Sequence, residues 1–448
     1  MSCWKWRSRG GREKMGDLRR LDLEKITGGR WAVSPPLRPI GGAHFDSRRL
    51  SAGDLFVAVD GPSGNSGHRY LAHALEKGAS AALVREKNER VPLAQLVVPE
   101  VLPALRSIAE AHRRGVSGEI IAITGSYGKT TTKNLLALLL GEDRTFATEG
   151  NQNGQLGVPI SVLNMDPERC RYGVLEVGIE EPGDMGRLTN VVRAKHVLFT
   201  GISHKHGEFF PCKRALFWEK LRLTDHVVEQ GGKFVVGPEL RKNPALRRLR
   251  DCTIVAGRGD WNFPLPVDSD GFARDFALCL AICDHLGIPR RDIRERIGRW
   301  KAPELRGQIF RHRFRDQIFY VDCYNSDLPA LLNSARNFLS LFPRRNHLFV
   351  IGGMSGFGVH SEKLHAIAGN RFPFFDGDAF FLVGEETRPL LEGLRRRGLT
   401  RDRWSIFPGK GEDLAKRIDG HSGVIYLKGS RCHALETLVN LDDCVLLD

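Results

Sequence analysis

The sequence contains no apolar run long enough to cross a lipid bilayer, which takes about 20 consecutive residues. The apolar stretch at 135–140 is short and has polar neighbours on both sides, so it predicts a packed helix. The basic segment MSCWKWRSRGGREK lacks the apolar core of a secretory signal peptide. We therefore expect a basic tail at 1–14, with Met15 as an alternative start, in a cytoplasmic protein without stable membrane insertion.

Cysteine pairs at the spacing of metal or redox sites are also absent. The nine cysteines are scattered, and no two of them form a CxxC motif. Cys279 and Cys283 lie in an apolar stretch with helical spacing, which predicts that both belong to a core. An odd number of dispersed thiols argues against a disulfide framework and is typical of a reducing compartment.

Internal repeats and low-complexity segments are missing as well, whereas basic residues are in excess. The formal net charge of +14 fits a nucleic acid, an anionic membrane surface, a highly anionic small substrate, or merely solvated basic faces. The basic residues form short clusters at 247–250, 290–296 and 395–397, and no nucleic-acid-binding motif accompanies them. The charge alone therefore leaves all four interpretations open.

Alternating strand and helix patterns predict an α/β protein with three domains. The first, at 15–115, contains the strand DLFVAV (54–59), an amphipathic helix and the strand AALVRE (81–86). The second, at 116–302, has the strand–helix alternation of a parallel sheet. The third, at 303–448, carries four further strands and is predicted to form a second doubly wound, Rossmann-like unit.

The clearest local motif is ITGSYGKTTTKNLL at 123–136. A predicted strand ends at Thr124, the turn at 125–128 contains two glycines, and Lys129 and Thr130 begin a predicted helix. Backbone N–H groups at such a helix start bind anionic oxygens, the lysine reaches terminal phosphates and the threonine coordinates Mg²⁺. Because Ile123 replaces the first glycine of the strict GxxxxGK[ST] pattern, the predicted nucleotide site depends on this strand–turn–helix context.

Seven motifs cover almost the whole chain, from about residue 15 to residue 440. They are HFDSRRLSAGDLFVAVDG (44–61), TGSYGKTTTK (124–133), EGNQNGQLGVPISVL (149–163), VLEVGIEEPGDM (174–185), DCYNSDLPA (322–330), IGGMSGFGVHSEKLH (351–365) and LKGSRCHALE (427–436). In sequence and in order they resemble the Mur ligase family, and within it the MurF type.

This resemblance implies a three-domain Mur ligase architecture, with a P-loop central parallel sheet and a Rossmann-like C-terminal domain. It implies a ligase of cell-wall synthesis that uses ATP and Mg²⁺ to add D-alanyl-D-alanine to UDP-N-acetylmuramoyl-tripeptide through an acyl phosphate. Its partners would be these small molecules, with no nucleic acid, and the protein would be a monomer. The lysine and threonine of the motif at 123–136 are compatible with this chemistry. Phosphoryl transfer depends on metal, lysine and aligned hydrogen-bond donors more than on a protein nucleophile.

The resemblance also implies roles for individual residues, although Glu176, His206 and Lys220, taken singly, would more often lie on a surface. The nucleotide site comprises Gly125, Ser126, Gly128, Lys129, Thr130, Thr131, Arg306, Asn325 and Asp327. The metal ligands are Thr130, Glu176, His206 and a carbamylated, hence anionic, Lys220; the catalytic residues are Lys129, His206 and Lys220. Substrate is held by Asp46, Ser47, Arg48 and Asn151, and by Lys428, Ser430 and Arg431.

The sequence departs from the family pattern at several positions. Asp327 replaces an asparagine, Gly353 replaces an aspartate, Ser355 replaces a glutamate, and Asn153-Gly154 stands in place of paired asparagines. The segment at 257–281 is shortened and lacks the His-Asn start of a family helix, which puts the adenosine contacts in question.

Three other functions stay open from the sequence. One is a Mur-family amide ligase for a different carboxylate, which the altered segments favour. A second is a basic P-loop ATPase that binds nucleic acid with a steep salt dependence. A third is a non-catalytic scaffold of wall synthesis, whose function would survive Lys129→Ala.

Overall fold

A computed structural model describes residues 17–32, 34–61, 64, 66–257, 261–343 and 346–447. They form a mixed α/β fold with three β-sheets, as predicted. The expected basic tail at 1–14 and the alternative start Met15 lie outside the described residues. Within the described ranges, no helix combines the length and the apolarity that crossing a membrane requires.

The first sheet is small and mostly parallel. Its strands are β1 (Arg30–Trp31), β2 (Gly42–His44), β3 (Asp54–Val57), β4 (Ala81–Val84) and β5 (Ala94–Val97), with helices α1 (Leu23–Thr27), α2 (Leu71–Glu76) and α3 (Val101–Arg114). The order is β1-β5-β4-β3-β2, and β1 runs antiparallel to β5. The strands predicted at 54–59 and 81–86 are confirmed in shorter form.

The second sheet is parallel throughout. Its strands are β6 (Glu119–Thr124), β7 (Thr145–Ala147), β8 (Tyr172–Glu176), β9 (His196–Phe199), β10 (Phe234–Val236) and β11 (Thr253–Val255), in the order β11-β10-β9-β6-β8-β7. The helices that follow in sequence are α4 (Lys129–Leu140), α5 (Gly157–Leu163), α6 (Asp184–Val192), α7 (Lys213–Leu221), α8 (Asp270–His285) and α9 (Arg290–Ile297). Strand β6 lies inside the sheet, which explains its continuous apolar run.

The third sheet has seven strands in the order β16-β15-β14-β17-β13-β12-β18 when numbered along the chain. These are β12 (Gln308–His312), β13 (Gln317–Asp322), β14 (Leu348–Gly352), β15 (Ala379–Val383), β16 (Trp404–Phe407), β17 (Gly423–Lys428) and β18 (Cys444–Leu447). Strands β12 and β18 pair antiparallel, and the other five are parallel. The helices are α10 (Leu328–Leu341), α11 (Ser361–Arg371), α12 (Arg388–Arg396) and α13 (Glu412–Asp419).

Both faces of the third sheet are covered by apolar clusters. Tyr320, Phe349 and Tyr426 point to one face, where they pack with Phe338 of α10. Their neighbours along the strands, such as Val350, belong to the cluster on the other face, because side chains alternate along a strand. Full burial of each such side chain contributes about 1.5–3 kcal/mol, so this doubly covered sheet forms a substantial core.

Internal contacts divide the chain into two compact units. Unit 1 comprises the described residues within Met1–Thr124, Leu136–Phe199 and Trp218–Val255, and therefore contains the first two sheets. Unit 2 comprises the described residues within Gly125–Leu135, Thr200–Phe217 and Ala256–Asp448, including the third sheet. The three sheets fall within the three predicted domains, whose boundaries stay predictions.

Candidate active site

The predicted glycine turn lies between β6 and α4, and we call residues 125–128 the phosphate loop. Gly125 and Gly128 have φ angles of 150° and 77°, a region that favours glycine. The Ser126 N–H donates to the Gly201 carbonyl at 2.8 Å, and the Gly128 carbonyl accepts from the Thr132 N–H at 2.9 Å. The loop is therefore fixed at both ends, in the conformation that only its glycines permit.

The phosphate loop fits an anionic ligand. The N-terminus of α4, a helix of 12 residues, follows it directly, and such a terminus presents N–H groups to anions. The buried Ser126 hydroxyl has no hydrogen-bond partner among the described residues. Lys129 Nζ donates to the Gly125 carbonyl at 2.9 Å, an acceptor weaker than a phosphate oxygen. Thr131 is half-buried in the first turn of α4.

Arg306, which the resemblance assigns to the nucleotide site, contacts the start of α4. Its Nη2 donates to Thr130 Oγ1 at 3.0 Å, and its guanidinium lies 4.1 Å from the centroid of the Tyr324 ring. The neighbouring Leu305 has a φ of 57°, a conformation that is uncommon for a leucine. A hydroxyl has two lone pairs, so the bond from Arg306 is compatible with metal coordination by Thr130.

A cluster of cations surrounds Asp327, and its member Lys205 was missed by sequence reasoning. Burial lowers the pKa of Lys205 to about 8; Asp327 opposes the shift, and Lys129, Arg306 and Lys428 add to it. These interactions place the three lysines near the Asp327 carboxyl group and Arg306 near Lys205. The negative charge that replaces the family's asparagine at 327 therefore faces lysines, and the cluster retains a positive excess suited to phosphates.

Asp327 also has a structural role at the start of α10. Its side chain accepts from the Ala330 N–H at 2.9 Å as the helix cap. Burial raises its pKa, and the Ala330 bond and the nearby lysines oppose that rise. Asn325, two residues earlier, accepts with its own side chain from the Ser326 N–H at 2.9 Å. The segment predicted to contact the nucleotide is thus ordered by its own side chains.

Lys428, Ser430 and Arg431 follow β17 and are engaged within unit 2. Lys428 is buried, with Nζ 2.9 Å from Asp322 Oδ2 and 2.7 Å from the Asn325 carbonyl. The Ser430 hydroxyl accepts from the Ser355 N–H at 2.8 Å, and Arg431 forms an ion pair with Glu436. Lys428 therefore ties the ends of β13 and β17 together, and its contact with substrate stays a prediction.

Glu176, the predicted magnesium ligand, is the last residue of β8 and is only 1% exposed. Asn153 Nδ2 donates to Glu176 Oε1 at 2.7 Å, and the Glu176 N–H donates to Thr148 Oγ1 at 3.0 Å. No group of three His, Cys, Asp or Glu residues able to hold a metal occurs in the described part of the chain. Magnesium is commonly held by one or two carboxylates with phosphates and water, so an oriented Glu176 fits it.

Lys220 and His206 complete the predicted metal set, each in its own unit. Lys220, on α7 in unit 1, is 1% exposed, which excludes the surface alternative that the sequence left open. His206, in unit 2, is half-buried with a φ of 60°, and its carbonyl accepts from the Phe210 N–H at 2.9 Å. Carbamylation of Lys220 and metal binding by His206 stay predictions.

The predicted substrate loop at 46–48 is ordered by its own charges. A side-chain hydrogen bond from Arg48 lowers the pKa of Asp46 to about 2, and Arg48 Nη2 lies 2.7 Å from Asp46 Oδ2. Ser47 Oγ lies 2.8 Å from His73 Nδ1. The next residue, Arg49, pairs with Glu149, two residues before the exposed Asn151. Unit 1 thus brings these four predicted substrate residues into one region.

Comparisons with known proteins identify the family of this chain. The family model of the Mur ligase middle domain matches residues 123–251. The UDP-N-acetylmuramoyl-tripeptide–D-alanyl-D-alanine ligase of Escherichia coli (strain K12) is 33% identical over 435 residues, which cover 88% of this chain and 92% of that protein. The ligase of the same name from Bacillus subtilis (strain 168) is 25% identical over 89% of this chain and 92% of its own length.

Solved structures share the fold. MurF from Acinetobacter baumannii superposes with a TM-score of 0.77 at 23% identity, over 93% of this chain and 96% of that one. The MurF ligase from Thermotoga maritima in complex with ADP gives a TM-score of 0.72 at 23% identity, over 94% and 98% of the two chains. Given 33% identity to one curated ligase across most of both chains, this chain belongs to the Mur ligase family, among its MurF-type ligases.

Proposed function

We propose that the protein is a cytoplasmic ATP-dependent amide ligase that joins the terminal carboxylate of UDP-N-acetylmuramoyl-tripeptide to the amine of D-alanyl-D-alanine. The observation that supports it most directly is the phosphate loop with its neighbouring cations Lys129, Lys205 and Arg306. Such an arrangement suits the negative charge of a triphosphate and of an acyl phosphate. No nucleic acid takes part in this reaction, and the protein acts as a monomer.

The proposed reaction depends mainly on stabilisation of the phosphate charge and on alignment of the reacting groups. The N–H groups at the start of α4 and the ammonium of Lys129 stabilise the terminal phosphates. Arg306, which is braced by Tyr324, holds the loop side of the site and adds a second cation. Bound Mg²⁺, with Glu176 and Thr130 as protein ligands, would neutralise phosphate charge as the carboxylate of the substrate attacks.

In this proposal, unit 1 recognises the uridine nucleotide part of the substrate. The residues that flank the loop at 46–48 contact the segment at 149–152. Arg49 pairs with Glu149, and Gln152 Nε2 lies 3.4 Å from His44 Nε2. The exposed Arg48 and Asn151 offer a cation and an amide at the surface of this region. These groups suit a diphosphate and a uracil or sugar.

The proposal is tested by mass spectrometry of products from UDP-N-acetylmuramoyl-tripeptide, D-alanyl-D-alanine, ATP and Mg²⁺. We expect the pentapeptide product and one ADP for each coupling. Lys129→Ala should lower turnover by about 100-fold or more, as removal of a transition-state donor does. Lys242→Ala, at an exposed lysine of unit 1, is the control and should retain full turnover.

Two results would count against the proposal. Coupling of another carboxylate or amine, with none of these substrates used, would make the protein a Mur-type amide ligase of different specificity. Undiminished turnover in Lys129→Ala would remove the phosphate loop from the reaction.

A further inference from the structure

A buried carboxyl group lies directly against the phosphate loop, and neither the resemblance nor the proposed chemistry gives it a role. It belongs to Asp275 on α8, which is 4% exposed. A Cβ atom on Gly128 would lie 2.8 and 2.9 Å from the two carboxyl oxygens of Asp275. The carboxyl group therefore packs on the backbone of Gly128, next to the residue that begins α4.

Arg274, the neighbour of Asp275, fixes the other side of the loop. Its Nη2 lies 3.3 Å from Asp275 Oδ1, and its guanidinium lies 4.5 Å from the centroid of the Tyr127 ring. The Tyr127 carbonyl in turn accepts from the Thr200 hydroxyl. Two consecutive residues of α8 thus contact two consecutive residues of the phosphate loop.

Helix α8 is itself held firmly against the start of α4. The Ser269 side chain accepts from the Phe272 N–H at 3.1 Å and caps the helix, and Cys279 Sγ donates to the Thr132 carbonyl at 3.5 Å. The cap fixes the start of α8, and the bond from Cys279 to α4 lies about one helical turn beyond Asp275, so the carboxyl group is held near the loop.

A negative charge at this position opposes the binding of phosphates. Burial raises the pKa of Asp275 to about 6, and Arg274 opposes the rise. Cys279 on the same helix also interacts with Asp275, and the titratable residues Tyr127 and Lys129 flank Gly128 in the sequence. The contact from α10 comes through the uncharged Asn333, against Gly271.

We propose that Asp275 is a positioning residue of the phosphate loop that takes up a proton from solvent when the terminal phosphates of a nucleotide bind, so that nucleotide affinity depends on pH. This inference rests on the proposed function, since it requires a nucleotide at the loop. The neutral carboxyl group keeps its packing on Gly128 without repelling phosphate, and Arg274 stays on the Tyr127 ring.

The sign of the effect follows from linkage. Binding that takes up a proton is favoured at low pH and weakens as pH rises above the pKa of the free protein. Between pH 6 and pH 8, the Kd of the wild type for ADP with Mg²⁺ should therefore increase by a factor that is roughly three to ten times larger than the factor for Asp275→Asn. One linked proton changes the Kd by at most about tenfold per pH unit. At pH 8 the variant should bind ADP more tightly than the wild type.

Isothermal titration calorimetry on the full chain tests this with ADP and Mg²⁺, from pH 6 to pH 8, in two buffers of different ionisation enthalpy. The wild type should take up more protons per ADP than Asp275→Asn. Asp284→Asn, on the same helix but in a surface pair with Arg290, is the control and should match the wild type. Thermal unfolding of each variant checks that the fold is retained.

The outcomes separate this inference from the proposed function. ADP binding to the wild type with equal proton uptake in Asp275→Asn would overturn the role of Asp275 alone. Weaker binding by the variant at pH 8 would do the same. Failure of the folded wild type to bind ADP at any pH would overturn both.

Discussion

Asn153 orients the carboxylate of Glu176, the predicted magnesium ligand. The amide of Asn153 donates to Glu176 Oε1 at 2.7 Å, and its carbonyl accepts from the Gly178 N–H at 2.7 Å, so both ends of this residue fix the end of β8. Partners that hydrogen-bond a metal ligand typically affect metal affinity by 10- to 100-fold. Asn153 is therefore expected to act on magnesium through Glu176.

We expect Asn153→Ala to raise the Mg²⁺ concentration for half-maximal turnover by about tenfold. The fold should be retained, because the change removes one donor to Glu176 and leaves the backbone bond between Asn153 and Gly178 in place. The measurement is a titration of turnover with Mg²⁺ at saturating ATP and substrates. Asn190→Ala, at an exposed asparagine of unit 1, provides the control. A variant with lowered turnover at every Mg²⁺ concentration, but an unchanged midpoint, would show that Asn153 does not act through the metal.

Local patterns predicted some site residues and could not predict others. Lys129 and Thr130 are recognisable because a glycine turn, a lysine and a hydroxyl stand together in sequence between a strand and a helix. Asp275 and Lys205 carry no such pattern, and Asn153 lies in the motif at 149–163 without a role of its own there. The roles of all three depend on residues that only the folded chain brings near. Lys205 lies between His204 and His206, and the resemblance implied a role only for His206, as a metal ligand.

At the scale of elements, the long buried strands were predictable and the short or polar ones were not. The strand–helix alternation predicted for the second domain is confirmed. Its strands β8 and β9 lie inside the parallel sheet, and such strands have mostly apolar sequences. By contrast β12, with the sequence QIFRH, and β18, with CVLL, pair antiparallel beside the parallel part of the third sheet. Their pairing depends on tertiary contacts, and neither has a distinctive pattern.

Helix α8 packs against the phosphate loop through Arg274 and Asp275. The N-cap of α8 should therefore affect nucleotide binding as well as the stability of the fold. Replacing a serine cap by alanine costs about 1 kcal/mol. We expect Ser269→Ala to lower the free energy of unfolding by about that amount and to raise amide hydrogen exchange in the first turn of α8. Because Arg274 and Asp275 lie just beyond that turn, ADP binding should weaken too.

Two further variants separate the cap from the serine side chain in general. Ser269→Asp restores a capping acceptor and should return exchange and ADP binding to near the wild-type level. Ser107→Ala, within α3, is the matched control and should not destabilise, since alanine is the better helix former. Equal loss of stability in Ser269→Asp and Ser269→Ala would contradict the capping explanation.

At the scale of the whole molecule, each of the three basic clusters contains an arginine that is paired with a carboxylate at the surface. In the cluster at 247–250, Arg248 pairs with Asp225 at 3.0 Å. In the cluster at 290–296, Arg290 pairs with Asp284 at 2.6 Å, and in that at 395–397, Arg396 lies 3.7 Å from Glu392. These pairs favour solvated basic faces over a continuous nucleic-acid-binding surface, in line with the proposed small anionic substrates.

The third sheet has a core of its own. Both of its apolar clusters are formed by residues between Leu305 and Cys444, so no side chain from outside the predicted third domain is needed to complete them. The compact unit that contains it also includes residues 125–135 and 200–217. If the third sheet folds without residues 125–135 and 200–217, the predicted domain is the folding unit. If it needs them, the folding unit is the larger compact unit.

We expect the isolated fragment 303–448 to fold and to unfold cooperatively in urea, followed by circular dichroism, because its two clusters cover both faces of the sheet. Within the fragment, Phe349→Ala should lower the free energy of unfolding by about 3–5 kcal/mol. Phe314→Ala, at a phenylalanine that is 78% exposed, should change it by less than about 0.5 kcal/mol. A fragment that lacks cooperative unfolding, while the full chain retains it, would mean that the segments from unit 2 outside 303–448 are part of the folding unit.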